Sequence, residues 1–233
     1  MSTIPNRHSL SPAMKMADLV DLDFSVLGVF TRMGLNFGFG EATVEEVCKS
    51  ADISPETFLL ICRVYAFDGY LPTQETLERA NLNDIVRYLR LSHSYYTNVA
   101  VPELADALES MLQPADLRRQ KVMWQFFADY KEELSKHFAY EENTVFPYVE
   151  AVLGHKKGAH FTIGEYEENH SNVEEKLDDL KNLITKYLPL QCNQQEAYRA
   201  LFYICSLERD LKKHTIIEDE ILVPVVGRME NNE

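Results

Sequence analysis

Apolar residues between Leu82 and Leu112 recur at helical spacing, with Ile85, Val86, Leu89, Leu104 and Leu108 on one face and Pro102 as an expected kink. A second periodic run follows Pro114 and reaches Leu153, where Gly154 and Gly158 are expected to end it. A third opens at Thr162 or Gly164 and runs to Tyr187, ahead of Pro189; a fourth runs from about Gln194 to Val226 and is expected to stop at Gly227. Four long helices with short connections predict an all-α chain containing an antiparallel four-helix bundle.

The pattern before the bundle is different. Met16-Ala17-Asp18-Leu19-Val20 begins a short helix, and a glycine-rich stretch from Gly34 to Gly40 interrupts. Thr43 and Glu46 have the spacing of a capping box, and Ser54-Pro55 has the order of an N-cap followed by a first-turn proline. Periodicity is lost from Asp68 to Pro72, which divides a small helical N-terminal domain, residues 14–70, from the bundle, residues 80–228.

Charge narrows the partners. Among 233 residues, 37 acidic side chains face 23 basic ones, a formal net charge of -14, so neither nucleic acid nor an anionic membrane surface is an expected partner. No apolar run approaches the roughly 20 residues of a membrane span, and Met1 to Ser11 is polar, which makes the cytoplasm the expected location. Cys48, Cys62, Cys192 and Cys205 are scattered without a CxxC pair and read as reduced, mostly core or near-core thiols.

The chemistry lies in an internal repeat. His137-Phe138-Ala139-Tyr140-Glu141-Glu142 leads to Pro147, and His214-Thr215-Ile216-Ile217-Glu218-Asp219 leads to Pro224; both copies have Glu at +4, a second acid at +5 and proline at +10. Positions i and i+4 share a helix face, so each helix offers an imidazole and a carboxylate to one interior layer. His93 lies in the first helix and His170 in the third. The candidate ligand set is therefore His93, His137, Glu141, His170, His214 and Glu218. Four imidazoles with two carboxylates suit a binuclear iron site, nitrogen at the outer positions and shared carboxylate oxygens between the cations.

A single HxxxE is ordinarily a surface ion pair. Duplication with matched acid and proline offsets, and a histidine in each remaining helix, favours the metal reading, because a bundle interior rarely accepts so many ionisable groups without a cation. His8, His155 and His160 lie outside the pattern and read as loop or helix-end residues; Tyr95, Tyr96, Tyr140 and Tyr166 read as packing around the ligands. Glu142 and Asp219 point roughly 100° away from the preceding glutamates and are expected to matter less.

These two HxxxEE-type segments, with Asn169-His170 and Leu91-Ser92-His93-Ser94-Tyr95, resemble the hemerythrin-like domain of bacterial iron-sulfur cluster repair proteins, also described as regulators of cell morphogenesis and NO signalling. The resemblance extends to Val29–Phe37 and Thr43–Cys48, similar to the short domain that precedes the bundle in that family. Gly38 and Phe39 stand where the family has adjacent cysteines, and His93 stands alone where paired histidines are common. The glycine-rich turn is thus left for packing or for a homodimer contact, and metal binding is expected to be independent of residues 1–73.

The resemblance implies two iron ions per chain, oxo- or hydroxo-bridged, with an exchangeable position for O2 or NO. It also implies a stress role in which damaged iron-sulfur proteins are the partners, through iron donation or NO handling. The same ligands would serve an O2 or NO binding and sensing module or a di-iron oxidoreductase, and without metal the bundle would be a structural protein. No residue is singled out as catalytic.

Overall fold

Local signals set the helix starts. In the computed structural model, which describes residues 10–155, 161–169 and 175–231, helix α3 (Val44–Ser50) carries the reciprocal Thr43–Glu46 box. Helix α4 (Pro55–Ala66) begins with the Ser54 hydroxyl accepting from Thr57 N–H and with proline at its first position. Helices α1 (Met16–Val20) and α2 (Val26–Arg32) precede them. A turn at Gly69, φ +70°, follows α4, and Thr73 then caps a five-residue helix α5 (Gln74–Glu78) that the apolar pattern does not announce.

The long arms come next. The first is α6 (Leu82–Tyr95) and α7 (Val101–Leu112), the second α8 (Leu117–Tyr140) and α9 (Phe146–Leu153). The third is α10 (Ile163–Asn169) and α11 (Glu175–Tyr187), the fourth α12 (Gln194–Ile217) and α13 (Val223–Asn231). They form an antiparallel bundle preceded by the N-terminal helices, and the described residues contain no sheet, only an isolated bridge between Lys15 and Thr43. None of the described helices is long and apolar enough to cross a membrane.

One boundary differs from expectation, and a second falls where expected through a different residue. The fourth arm continues through Gly227 to Asn231, because Gly227 keeps ordinary helical geometry; only Gly34, Gly38, Gly40 and Gly69 have positive φ among the described glycines. The second arm ends at Leu153 by placing His155, not Gly154, in the left-handed region at φ +51°, which makes His155 the helix-end residue expected of it.

The chain packs as two compact units, Met1–Ser92 with Val149–Glu167 and Lys213–Glu233, and His93–Tyr148 with Glu168–Lys212. In the first, Phe30 packs against Phe58 and, edge-on, against Phe39. Gly38 adopts φ +97°, which a side chain tolerates poorly, so the turn expected to have lost its thiols is built for packing. Buried Arg32 donates to the hydroxyls of Tyr65 and Tyr88 at 2.9 and 3.0 Å, and the Asp84 carboxylate accepts from Ser54 N–H at 2.8 Å, so α2 and α4 are tied to α6.

The second unit has its own core. Leu104, Leu108 and Met111 of α7, Phe127 and Leu134 of α8, Leu177 and Leu180 of α11, and Ile204 and Leu211 of α12 are fully or almost fully buried. These residues recur at three-, four- or seven-residue spacing along their helices, the stripe expected of an element that buries one face.

Candidate metal centre

Among the described residues, three of the four expected ligand segments adjoin a break in the α-helical ladder. Residues Tyr96–Ala100, Glu141–Val145 and Glu218–Leu222 are π-helical, and each π-turn is followed by an apolar residue and a proline: Val101-Pro102, Phe146-Pro147 and Val223-Pro224. The cause is local. Proline has no N–H for the carbonyl four residues back, here Asn98, Asn143 or Glu220, and its ring crowds that carbonyl. The turn widens by one residue, and Val101, Phe146 and Val223 donate instead to the carbonyls of Tyr96, Glu141 and Glu218, five residues back. Both repeated glutamates thus sit at the first position of a π-turn, with the preceding histidine on the last regular turn of α8 or α12.

The side chains converge. His93 Nε2 lies 3.1 Å from Glu141 Oε2, His137 Nε2 lies 3.2 Å from Glu141 Oε1, and His214 Nε2 lies 3.0 Å from Glu218 Oε1. His93, Glu141, His214 and Glu218 each offer one ligand atom, and these four atoms lie within 4.8 Å of one another. All four residues are buried, the two glutamates completely.

Of the six expected ligands, the structure therefore gathers four and places His137 against Glu141, with only 7% of its side chain exposed. His170 lies outside the described residues, as do His8 and His160. Tyr96 and Tyr166 are buried as the packing reading requires, whereas Tyr140 is more than one-third exposed.

The donor set fits a cation. Two carboxylates buried this close repel each other, and a metal between them replaces that repulsion with attraction to both. Imidazole nitrogen and carboxylate oxygen without thiolate suit iron, manganese or zinc. Cys48, Cys62, Cys192 and Cys205 take no part in the cluster, and burial pushes the Cys48 thiol up to about 12.

Other contacts around the site were not read from spacing. Glu142 Oε1 lies 2.9 Å from His93 Nδ1, so the acid expected to point away reaches a candidate ligand on another helix. The His93 ring stacks on Phe138 at 4.1 Å and on Phe146 at 5.5 Å. Lys213, next to His214, is buried and pairs with Asp68 at 2.8 Å. The second acid at +5 in both copies was the available signal for Glu142; the Asp68–Lys213 contact spans 145 residues and leaves no local signature.

Residues 84–226 match the hemerythrin HHE cation binding domain. Over 208 residues the chain is 26% identical to the iron-sulfur cluster repair protein YtfE of Musicola paradisiaca (strain Ech703), a match covering 84% of this chain and 88% of that relative. The domain match takes in more than half of the chain and every member of the buried cluster, and this chain belongs to the hemerythrin HHE cation-binding family.

Proposed function

We propose that His93, His137, Glu141, His170, His214 and Glu218 hold two iron ions, and that the protein assists the repair of iron-sulfur clusters damaged by oxidative or nitrosative stress. The observation that carries the metal reading is the gathering of two buried carboxylates and two buried imidazoles within 4.8 Å. The repair reading is supported by the similarity to the iron-sulfur cluster repair protein, over most of both chains. In this reading the bundle of residues 80–228 is the iron-binding domain and residues 14–70 form the small helical domain before it.

When bound, iron supplies redox chemistry and an exchangeable position for O2 or NO. The chain's own residues prepare the site. Glu141 spans two imidazoles, one oxygen toward His93 and the other toward His137, so both of its oxygens would be available to hold metal beside those rings. Complete burial of Glu141 and Glu218 excludes water from their oxygens, so these anions attract a cation more strongly than exposed acids do. The partners in this reading are O2 or NO and the damaged iron-sulfur proteins, and the exposed Phe37 of the glycine-rich turn offers a contact for a homodimer.

The test has two stages. Iron per chain and the visible absorption of a ferric pair are measured after expression in iron-replete cells; about two irons are expected, and zero or one without that absorption overturns the binuclear assignment. A cluster-damaged dehydratase is then incubated with the loaded protein or with its Glu141→Ala, Glu218→Ala double variant. Reactivation by the parent alone supports repair. Equal reactivation by both, or by neither, overturns it.

A further inference from the structure

We infer that Glu142 is the positioning residue for His93: it holds the Nδ1–H and turns Nε2 toward Glu141. This rests on the reading of His93 as a metal ligand. Stacking between Phe138 and Phe146, at interplanar angles of 18° and 19°, fixes the plane of the imidazole ring. It leaves one degeneracy. A half-turn of the ring about its χ2 bond keeps both stacks but exchanges nitrogen for carbon at each position, presenting Cε1 in place of Nε2 to Glu141.

Glu142 breaks that degeneracy. Its Oε1 is 2.9 Å from Nδ1, a distance at which a carboxylate accepts a hydrogen bond from N–H and gains nothing from C–H. With Nδ1 as the donor, Nε2 is the ring atom left facing Glu141 Oε2, 3.1 Å away. The aromatic pair sets the plane and Glu142 sets which edge faces the cluster. All of these parts come from one repeat segment, since Phe138, Glu141, Glu142 and Phe146 lie within nine residues around the π-turn. A histidine ligand whose other nitrogen donates to a carboxylate is held in one tautomer, and loss of such a partner typically lowers metal affinity by about 10–100-fold.

The test uses the full chain, parent and two variants, with helicity matched. In Glu142→Ala the acceptor is gone; in Glu142→Gln the amide carbonyl still accepts. The first readout is the His93 Nδ1–H resonance in the metal-free protein, assigned by a His93→Gln reference. A slowly exchanging, downfield proton is expected in the parent and in Glu142→Gln, and its loss in Glu142→Ala. The second is zinc affinity by titration calorimetry, expected to fall about 10–100-fold in Glu142→Ala and to stay within about threefold of the parent in Glu142→Gln. An unchanged Nδ1–H resonance in Glu142→Ala overturns the inference. So does zinc affinity within twofold of the parent in that variant. If the parent binds no zinc, the metal reading fails, and the resonance alone decides whether Glu142 positions His93.

Discussion

Replacing Glu218 by Gln should stabilise the metal-free chain and remove most of the stabilisation that metal confers. Glu218 is completely buried, and its ligand oxygen lies within 4.8 Å of that of Glu141. At an effective dielectric of about 20, two unit negative charges at that separation repel by about 3 kcal/mol. The substitution keeps the shape and the 3.0 Å approach of His214 Nε2 to Oε1, which is not a hydrogen bond, but gives up the attraction of the charge for the imidazole, about 1 kcal/mol. The net gain is about 2 kcal/mol. In a chain of this size that raises Tm by roughly 4–8 °C.

Metal reverses the sign. At a hundredfold excess over Kd a ligand that binds only the folded state contributes about 2.7 kcal/mol, and the variant, with one anionic oxygen donor fewer, should lose most of it. The assay is calorimetric unfolding of parent and Glu218→Gln at pH 8, where an ordinary histidine is neutral, without metal and with anaerobic ferrous iron. Opposite shifts in the two conditions are expected. A metal-free variant less stable than the parent, together with equal stabilisation of both by iron, would refute the reasoning.

Pro147→Ala restores an N–H to the widened turn; it should raise the metal-free Tm while lowering iron affinity about tenfold or more, because Glu141 then swings off the position the π-turn gives it. Unaltered affinity with a regular helix at Glu141 by NMR would show that the widening is irrelevant to the site. A chain beginning at Gln74 loses Asp68 and leaves the Lys213 ammonium buried beside His214, so iron per chain should fall well below that of the full protein even where helicity is retained. Full iron content in the folded truncation would contradict this. Burial holds the Asp84 carboxyl above its ordinary range, so the folded state keeps its proton to higher pH than the unfolded state. Stability contributed by that proton is present below about pH 4 and is lost as pH rises through the folded value. Asp84→Asn, which still accepts from Ser54 N–H, should therefore be the more stable protein at pH 7, with the advantage vanishing below about pH 4 in urea melts; an advantage independent of pH would refute the assignment.

Short-range rules carried most of the architecture. The Thr43–Glu46 box, the Ser54-Pro55 start and the four arms follow from capping chemistry and apolar spacing within a few residues of each boundary. Gly227 misled because a glycine near the end of a pattern reads as a stop, whereas its geometry is helical and a Cβ there would make only ordinary contact with Ile163 at 3.7 Å. The expected independence of residues 1–73 came from the missing cysteine pair, a local feature. What ties those residues to the rest is non-local: Arg32 to Tyr88, Ser54 to Asp84, Asp68 to Lys213. No pattern in sequence spacing encodes such contacts, since each depends on which turn faces which after packing.

The candidate site was legible in composition but not in mechanism. His and Glu at i and i+4 were enough to propose a shared layer, and the proline at +10 was visible in both copies without its consequence. That consequence is a cost accepted twice at the same point. In both repeats the proline removes a backbone hydrogen bond and forces a wider turn that begins at a completely buried glutamate, whereas the third such turn, before Pro102, begins at Tyr96. Neither feature improves the stability of a bundle that binds nothing. Together they make sense if a cation is the missing term, because it alone converts two buried, mutually repelling anions into a net attraction. The repeat is thus read best as two copies of one device: a proline that opens the turn, a glutamate that starts it, and a histidine one turn earlier that faces the same volume.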